Sequence, residues 1–386
     1  MIFADRRRYA VALAGASAFL NLYSPQAVLP LLQTEFGTTE AGIALIMFAS
    51  ILAVALTAPF TGAIADVIGR KRVITGAMIA LVIPTAMSAL SPNLETMIFW
   101  RFVQGLVLPP IFAVTMAYIG GEMPADEATG MTGTYIMGAT LGGFTGRLLT
   151  GLLAEPIGWR NAFLVDAALI ALLAIAVIVL LPREKKFVRA ANLKTSLKQM
   201  VQHLHNPKLM ATYAVGFGVL FNFIATFTFI SFHLAAAPFN LTPAQLGLIF
   251  TVYLVGTFIV PLVGQGVSRF GRRRFVIAVL ALWICGVLLT LVPSLPAVIV
   301  GLTVAAACGF LCQASSQAYV ATSSKTGISA SLGLYATAFY AGGSAGALLP
   351  GLAWEAAKWP GAVAMVVAMQ TIMMLIVWLA WGKDRR

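Results

Sequence analysis

The chain has 386 residues, of which 60% are apolar and only 10% charged, whereas soluble domains average about 45–50% apolar and about 25% charged residues. Together with a mean hydropathy of +0.92, this composition excludes a soluble enzyme, a disordered chain and a small disulfide-rich domain. The three cysteines all lie in apolar runs, so the sequence offers neither a disulfide framework nor a four-ligand zinc site.

Apolar runs recur along the whole chain, and each is long enough for the roughly 20 residues that one membrane crossing needs. The first run follows three arginines and is interpreted as an uncleaved span, because no small-residue cleavage site precedes a polar domain. We therefore predict an all-α polytopic membrane protein. Its twelve predicted spans cover residues 9–33, 40–65, 73–91, 95–121, 128–153, 160–181, 208–236, 243–267, 275–292, 296–322, 328–353 and 360–381.

The basic residues predict the orientation of these spans. With the N-terminus inside, the cytoplasmic segments hold 21 of the 25 lysines and arginines, which is a strong positive-inside bias. Both termini are therefore predicted to be cytoplasmic. The formal net charge of +12 is attributed to this topology and to contact with anionic lipid, so no nucleic-acid partner is expected.

One long basic connection divides the chain into two bundles. Residues 1–181 are predicted as an N-terminal six-helix bundle, 182–207 as a cytoplasmic linker and 208–386 as a C-terminal six-helix bundle. The apolar side chains of the linker suit a helix lying on the membrane surface. A flexible tether is an equal alternative.

The two predicted bundles repeat each other. A shift of 200 residues aligns 133–159 with 333–359 without gaps, and eleven of the 27 positions are identical. Five of the identical positions are glycines, which are frequent where membrane helices pack closely. The repeat therefore predicts two similar halves in parallel orientation.

Three motifs carry a family resemblance. The second span is followed by Gly62-Ala-Ile-Ala-Asp66-Val-Ile-Gly69-Arg70-Lys71-Arg72, and the eighth span by a reduced copy, Gly264-Gln-Gly-Val-Ser268-Arg269-Phe-Gly271-Arg272-Arg273-Arg274. The fourth span contains Arg101-Phe-Val-Gln104-Gly105. These segments resemble the loop signature G-x-x-x-D-x-x-G-R-[KR] and the R-x-x-Q-G element of major facilitator transporters, in particular the twelve-span drug and metabolite exporters.

This resemblance implies the major facilitator fold, in which two six-helix pseudo-repeats move a small organic solute by alternating access. It makes proton-coupled export the first expectation, with uptake symport or uncoupled facilitation as the alternative and a non-transporting receptor or scaffold as a further one. The fifth span departs from the antiporter pattern, because Gly142-Gly143-Phe144 stands where these exporters usually have Gly-Pro.

The expected partners follow from the same resemblance. They are a small organic solute, protons and membrane lipid, with a proton gradient as the energy source and with no cofactor or metal. No motif of an enzyme is visible in the sequence. The protein is expected to be a monomer in a bacterial inner membrane.

The loop motif has two interpretations. Gly62 would let neighbouring helices approach closely, and Asp66 could accept hydrogen bonds at the cytoplasmic surface, where a charged contact can form and break. The residues alone support two roles equally, a latch that stabilises one access state and an anchor that only fixes the topology. The family resemblance favours the latch. The candidate gating residues are Gly62, Asp66, Gly69, Arg70 and Lys71, with a weaker copy at Gly264, Gly271 and Arg272.

Charged residues inside predicted spans are costly and usually face a cavity or a partner. Arg101, Arg147 and Asp166 lie at similar predicted depths in the N-terminal half. Arg101 could attract an anionic group of the solute, or it could be a structural arginine bonded to backbone carbonyls and Gln104. For Arg147 and Asp166 we predict a buried ion pair; alternatively, Arg147 occupies a cavity and Asp166 carries a proton.

Neutral polar residues mark a predicted solute cavity, since the resemblance implies that the first, fourth, seventh and tenth spans line the pathway. Each of these residues could instead make an interhelical hydrogen bond. His233 could titrate near neutrality or could simply be solvated at the end of its span. The candidates, beyond the charged residues and Gln104, are Asn21, Tyr23, Gln26, Asn222, Thr226, His233, Tyr253, Gln313 and Gln317.

Overall fold

A computed structural model describes residues 2–123, 125–184, 202–323 and 328–381, with the side chains of 2–5, 63, 66, 125, 126, 129, 328 and 329 left undescribed. These residues form helices and no strands. Most of the predicted linker lies outside the described residues, so the choice between a surface helix and a tether stays a prediction.

The helices of the first half begin at a broken first span. Helix α1 ends at Tyr23, a 3₁₀ turn follows over Ser24–Ala27, and α2 resumes at Leu29, because Pro25 and Pro30 interrupt the backbone hydrogen bonds of the helix. The helices are α1 (Ile2–Tyr23), α2 (Leu29–Glu35), α3 (Glu40–Ile68), α4 (Arg70–Ala89), α5 (Leu94–Glu122), α6 (Ala125–Ile157) and α7 (Trp159–Leu180).

Two helices of the second half start at side-chain caps. Asn206 caps α8, and Thr242 forms a capping box with Gln245 at the start of the next helix. That helix, α9, alternates between α-helical and 3₁₀ turns. The helices are α8 (Pro207–Ala235), α9 (Pro243–Phe270), α10 (Arg272–Leu289), α11 (Leu295–Ser323) and α12 (Ile328–Ala380).

The twelve-span prediction is confirmed. Eight helices in the described residues are long and apolar enough to cross a membrane by length and composition. The last of them is two helices, because α12 is broken at Ala357 and Lys358, and Lys358 has a positive φ of 50°. With α12 divided and α2 counted as part of the first span, the described residues form twelve long helical segments, six in each half of the chain.

The chain forms two compact units that differ from the predicted bundles in two short segments. The N-terminal unit comprises Met1–Thr38, Ala49–Ala191 and Leu241–Phe250, and the C-terminal unit comprises Thr39–Phe48, Asn192–Asn240 and Thr251–Arg386. Each unit thus contains the start of one helix that belongs to the other half of the sequence. The two segments, which begin α3 and α9, are related by the 200-residue repeat.

In the N-terminal unit, α6 crosses α1 on a stripe of glycines. A Cβ added to Gly138, Gly142 or Gly146 would overlap the backbone carbonyl of Ala12, Ala16 or Leu20. Only glycine allows the two backbones to come this close. These three glycines are therefore the packing surface between the first and fifth spans.

The C-terminal unit repeats this crossing. A Cβ on Gly342 or Gly346 of α12 would overlap the carbonyl oxygen of Phe217 or Phe221 in α8. The glycines occupy the positions of Gly142 and Gly146 after the shift of 200 residues. The internal repeat of the sequence is thus also a repeat of helix packing.

The glycine crossing yields a matched test within one helix. Gly142→Val should prevent the close approach of α6 to α1, and we expect a loss of monodisperse protein or a thermal midpoint lower by several degrees. Gly133→Val is the control, because Gly133 lies on the same helix with nothing within 4 Å of an added Cβ. Equal midpoints for the two variants in a thermal unfolding assay would contradict this assignment.

Candidate functional site

The break after α1 is the centre of a buried polar cluster in the N-terminal unit. Tyr23 and Ser24 stand at the end of the helix, and Ser24–Ala27 is entirely buried. A helix that ends in an apolar environment leaves backbone carbonyls that need donors. The predicted residues Asn21, Tyr23 and Gln26 all lie at this break.

Arg101 of α5 supplies the missing donors. Its Nη1 donates to the carbonyl of Asn21 at 3.0 Å and to Gln104 Oε1 at 2.6 Å. Its Nη2 donates to the carbonyl of Leu22 at 2.7 Å and to Ser50 Oγ at 3.0 Å. Arg101 is only 2% exposed and joins α1, α3 and α5 within one unit.

Gln104 and Asn21 extend the cluster to α4. Gln104 Nε2 donates to the carbonyl of Pro84 at 2.9 Å and to Ser88 Oγ at 2.8 Å. Asn21 Nδ2 donates to Thr85 Oγ1 at 2.8 Å. These contacts are those of a structural arginine with its supporting amides, which is the second of the two interpretations that the sequence left open. Contact of Arg101 with a solute stays a prediction.

Asp166 of α7 lies beside this cluster and is completely buried. The carboxyl is near the Ser24 hydroxyl and within electrostatic range of the Arg101 guanidinium, yet among the described residues neither of its oxygens has a partner at full hydrogen-bonding geometry. A cavity of about 10 Å³ lies within the Arg101 cluster and is lined among others by Ser24, Arg101 and Phe163. This is about the space that one water molecule requires. The arrangement places a buried acid next to a buried cation whose bonds go to backbone carbonyls.

Arg147 of α6 does not contact Asp166, contrary to the predicted ion pair. Its Nε donates to Gln26 Oε1 at 2.7 Å and its Nη1 to the carbonyl of Gly143 at 2.8 Å. The guanidinium lies 4.3 Å from the ring centre of Tyr23 and 4.7 Å from that of Phe250. Similar predicted depth did not bring the two charges together, because the side chains leave their helices toward different neighbours.

Three residues of these clusters were missed in the sequence. Ser24, Ser50 and Phe250 contact Asp166, Arg101 and Arg147 respectively. Ser24 could have been found as the hydroxyl beside a proline in an apolar run. The other two carry no local signal, because their importance comes from helices packed beside them.

A double-mutant cycle can test whether Asp166 interacts with Arg101, as in the structure, rather than with Arg147, as the sequence predicted. No hydrogen bond or ion pair joins Arg147 to Asp166 in the part of the chain that the structure describes. The losses of stability in Arg147→Ala and Asp166→Val should therefore add within about 0.5 kcal/mol. Arg101→Ala and Asp166→Val should instead show a coupling of about 0.5–3 kcal/mol, because the two groups act on each other directly. Denaturant unfolding of the single and double variants measures both terms. Coupling between Arg147 and Asp166 alone would contradict the structure.

In the C-terminal unit, the predicted residues of α8 are buried. Asn222 Nδ2 donates to the carbonyl of Gly218 at 2.7 Å, whereas Asn222 Oδ1 and Thr226 Oγ1 have no hydrogen-bond partner among the described residues. The two side chains are four residues apart and share a face of the helix. Two polar oxygens are therefore available to donors on a single helical face.

The other predicted residues of this unit differ in their surroundings and in their burial. His233 stacks on Trp359 with ring centres 5.6 Å apart, and Tyr253 packs against Phe227 at 4.4 Å in an aromatic cluster. Gln313 is half-buried and Gln317 is exposed. Their shared role in a solute site stays a prediction.

The first loop motif is anchored inside the N-terminal unit. Gly69 has a φ of +104°, which favours glycine, and caps α4. The backbone N–H of Lys71 donates to Glu184 Oε2 at 3.3 Å, and its Nζ donates to the carbonyl of Ile178 at 3.0 Å. The side chain of Asp66 lies outside the described residues, so its latch role stays a prediction.

The glycines of the loop motifs differ in whether the backbone requires them. An added Cβ would meet nothing within 4 Å at Gly62 or at Gly264, so the close helix approach expected at Gly62 is not seen. Gly271 repeats the backbone role of Gly69, with a φ of +77° at the start of α10. Arg272 donates to Thr322 Oγ1 at 3.2 Å and stacks on Tyr319 at 4.9 Å. The glycines that matter for the backbone are those at the turns.

Comparison with known proteins shows the family. The family model described as Major Facilitator Superfamily matches residues 11–236 and 215–386. The chain belongs to this superfamily. It is a membrane transporter rather than an enzyme, and it moves a small solute. Among the described residues, no group of three histidine, cysteine or acidic side chains could hold a metal ion.

Relatives and a solved structure agree with this assignment. An uncharacterized transporter of Buchnera aphidicola subsp. Baizongia pistaciae is 30% identical over 94% of this chain and 91% of the relative. The inner membrane transport protein YnfM of Escherichia coli strain K12 is 31% identical over 67% of this chain and 62% of the relative. The crystal structure of the nucleoside transporter NupG is similar in fold, with a TM-score of 0.78 at 16% identity, covering 98% of this chain and 100% of that chain.

Proposed function

We propose that this transporter exports a small organic drug or metabolite across a bacterial inner membrane in exchange for protons. Its expected partners are the solute, protons and surrounding lipid, and it acts as a monomer with no cofactor beyond the proton gradient. The name of the Escherichia coli relative supports the proposed location. The motif resemblance to drug and metabolite exporters supports the direction.

One observation carries the solute-binding part of this proposal. Asn222 Oδ1 and Thr226 Oγ1 lie on the same face of α8 and are buried acceptors with no partner in the part of the chain that the structure describes. Buried polar atoms are normally hydrogen-bonded, and an unpaired one is costly. A solute that carries hydroxyl or amine donors would satisfy both oxygens, so we assign α8 a direct contact with the solute.

The coupling part is supported by the buried acid of the other unit. Ionisable residues inside membrane spans are functional candidates because their burial is expensive. Asp166 is such a residue, and it is placed beside the Arg101 cluster at the break of the first span. Proton antiport needs one group that gains and loses a proton during the cycle, and Asp166 meets this requirement.

Transport in proteoliposomes with imposed pH gradients tests direction and coupling together. A panel of organic cations, anions and neutral amphiphiles would be offered outside vesicles that are acidic inside. Proton antiport predicts that one class accumulates and that a protonophore abolishes the accumulation. Accumulation only with acid outside would indicate uptake symport, and equilibration independent of the gradient would indicate facilitation; either outcome overturns the export proposal.

The solute contact is tested with a matched pair on α8. Thr226→Val removes an unpartnered hydroxyl at nearly constant volume, and we expect KM to rise about 2–10-fold if one hydrogen bond to the solute is lost. Ser231→Ala is the control, because the Ser231 hydroxyl already donates to the carbonyl of Phe227. Equal KM values for both variants would show that Thr226 does not bind the solute.

A further inference from the structure

We infer that Asp166 is a buried proton-binding site whose charge controls where the donors at the break of the first span are directed. When Asp166 is neutral, Arg101 and Ser24 hold the last carbonyls of α1. When it is ionised, the same two donors turn to the carboxylate and release the helix end. The switch itself does not depend on the proposed function. Only the further step, that the proton bound by Asp166 is the transported proton, rests on the proposed proton coupling.

The surroundings of Asp166 favour the neutral acid in the structure described above. The residue is 0% exposed, and among the described residues neither carboxyl oxygen has a partner at full hydrogen-bonding geometry. A charge buried without a hydrogen-bond donor is far more costly than a neutral carboxyl in the same place. The burial of Asp166 and the contacts of its described neighbours therefore suit the neutral acid better than the carboxylate.

The donors that an ionised Asp166 would need are already beside it. The carbonyl of Asn21 accepts from Arg101 Nη1 at 3.0 Å and from Ser24 Oγ at 3.4 Å. Arg101 and Ser24 are also the two groups that act on the Asp166 carboxyl. One carbonyl and one carboxyl thus compete for the same pair of donors.

Loss of the proton changes the outcome of this competition. The O–H bond of the carboxyl breaks, the proton leaves to water, and the electron pair stays on the carboxylate. A carboxylate accepts from a guanidinium more strongly than a backbone carbonyl does, because the hydrogen bond is then between opposite charges. Arg101 and Ser24 move to Asp166, and the end of α1 loses bonds at Asn21 and Leu22.

Other charges do not replace Arg101 in this role. Helices α1, α4 and α6 pack against α7, and the charge that acts on Asp166 is that of Arg101 on α5. On α7 itself, Arg160 is paired with Glu35 at 2.8 Å. The remaining described ionisable side chains on α1, α4, α5 and α6 are Arg6, Arg7, Arg8, Tyr9, Tyr23, Arg70, Lys71, Arg72, Glu95, Tyr118, Glu122, Glu127, Tyr135, Arg147 and Glu155.

The switch lies at a point where the backbone can respond. The break after α1 consists of a 3₁₀ turn that contains Pro25, and its N-cap residue Tyr23 makes no capping hydrogen bond with its side chain. The bonds to Asn21 and Leu22 therefore add to a weakly held helix end. A change of one proton at Asp166 is converted into a change in the order of the first span.

Infrared difference spectroscopy of the purified protein in lipid nanodiscs tests proton binding without a solute. The wild type at neutral pH should show the carbonyl stretch of a protonated carboxyl, and this band should titrate away at alkaline pH. Asp166→Asn should lack the band. Glu155→Gln should retain it, since Glu155 is an exposed carboxyl on α6.

Hydrogen–deuterium exchange over residues 21–28 tests the release of the helix end. At alkaline pH, exchange in the wild type should be several-fold faster than in Asp166→Asn at the same pH, because only the wild type can ionise there. If the amide variant does not fold, Asp166→Val serves, since a buried valine needs no partner. Valine is also the residue at the repeat-related position, Val366.

The outcomes separate this inference from the proposed function. Absence of the band in the wild type, its persistence in Asp166→Asn, or equal exchange in both proteins would overturn the switch. If the band and the exchange behave as expected but flux in the wild type ignores the pH gradient, the switch stands and proton-coupled export fails. If flux is driven by protons equally in wild type and Asp166→Asn, export stands and the switch does not carry the transported proton.

Discussion

The guanidinium of Arg101 at the end of α1 is the interaction on which the polar architecture of the N-terminal unit depends. An arginine is expensive to bury, and so are the carbonyls of a helix that stops inside an apolar layer. The two costs are reduced together, because the Arg101 guanidinium donates to the carbonyls of Asn21 and Leu22. Gln104 then connects the same cluster to α4. The break in the first span can exist because a fixed cation stands beside it.

The two units share a scaffold but differ in what they bury. Both cross their first and fifth spans on glycines that allow backbone contact. The N-terminal unit buries Arg101, Arg147 and Asp166, each at most 2% exposed. The C-terminal unit has aromatic packing instead, with Tyr253 against Phe223 and Phe227. The same helix packing therefore surrounds buried charged residues in the N-terminal unit and buried aromatic residues in the C-terminal unit.

Arg147 illustrates how the environment decides the function of a buried charge. It is held by Gln26 and by its own helix at Gly143, and two aromatic rings lie over its guanidinium. Cation–π contacts of this kind stabilise a desolvated guanidinium without an acid. Among the described residues, the groups that act on Asp166 are consequently Arg101 and Ser24 rather than Arg147.

The sequence by itself determined the class, the number of spans and the repeat. These properties follow from the length of apolar runs and from composition, and both are local. The loop motifs and the family resemblance were sufficient to predict the fold. The glycines shared by the two halves also indicated close helix packing, since small residues are frequent where membrane helices approach each other.

Only the tertiary structure decided the partners of the buried charges and the composition of the compact units. Equal depth in the membrane did not pair Arg147 with Asp166, because depth does not specify the direction in which a side chain leaves its helix. Ser50 and Phe250 became important through helices packed beside them, and residues 39–48 and 241–250 joined the opposite units. Pairings of this kind depend on the rotation of each helix about its own axis, which packing sets and a linear sequence does not reveal.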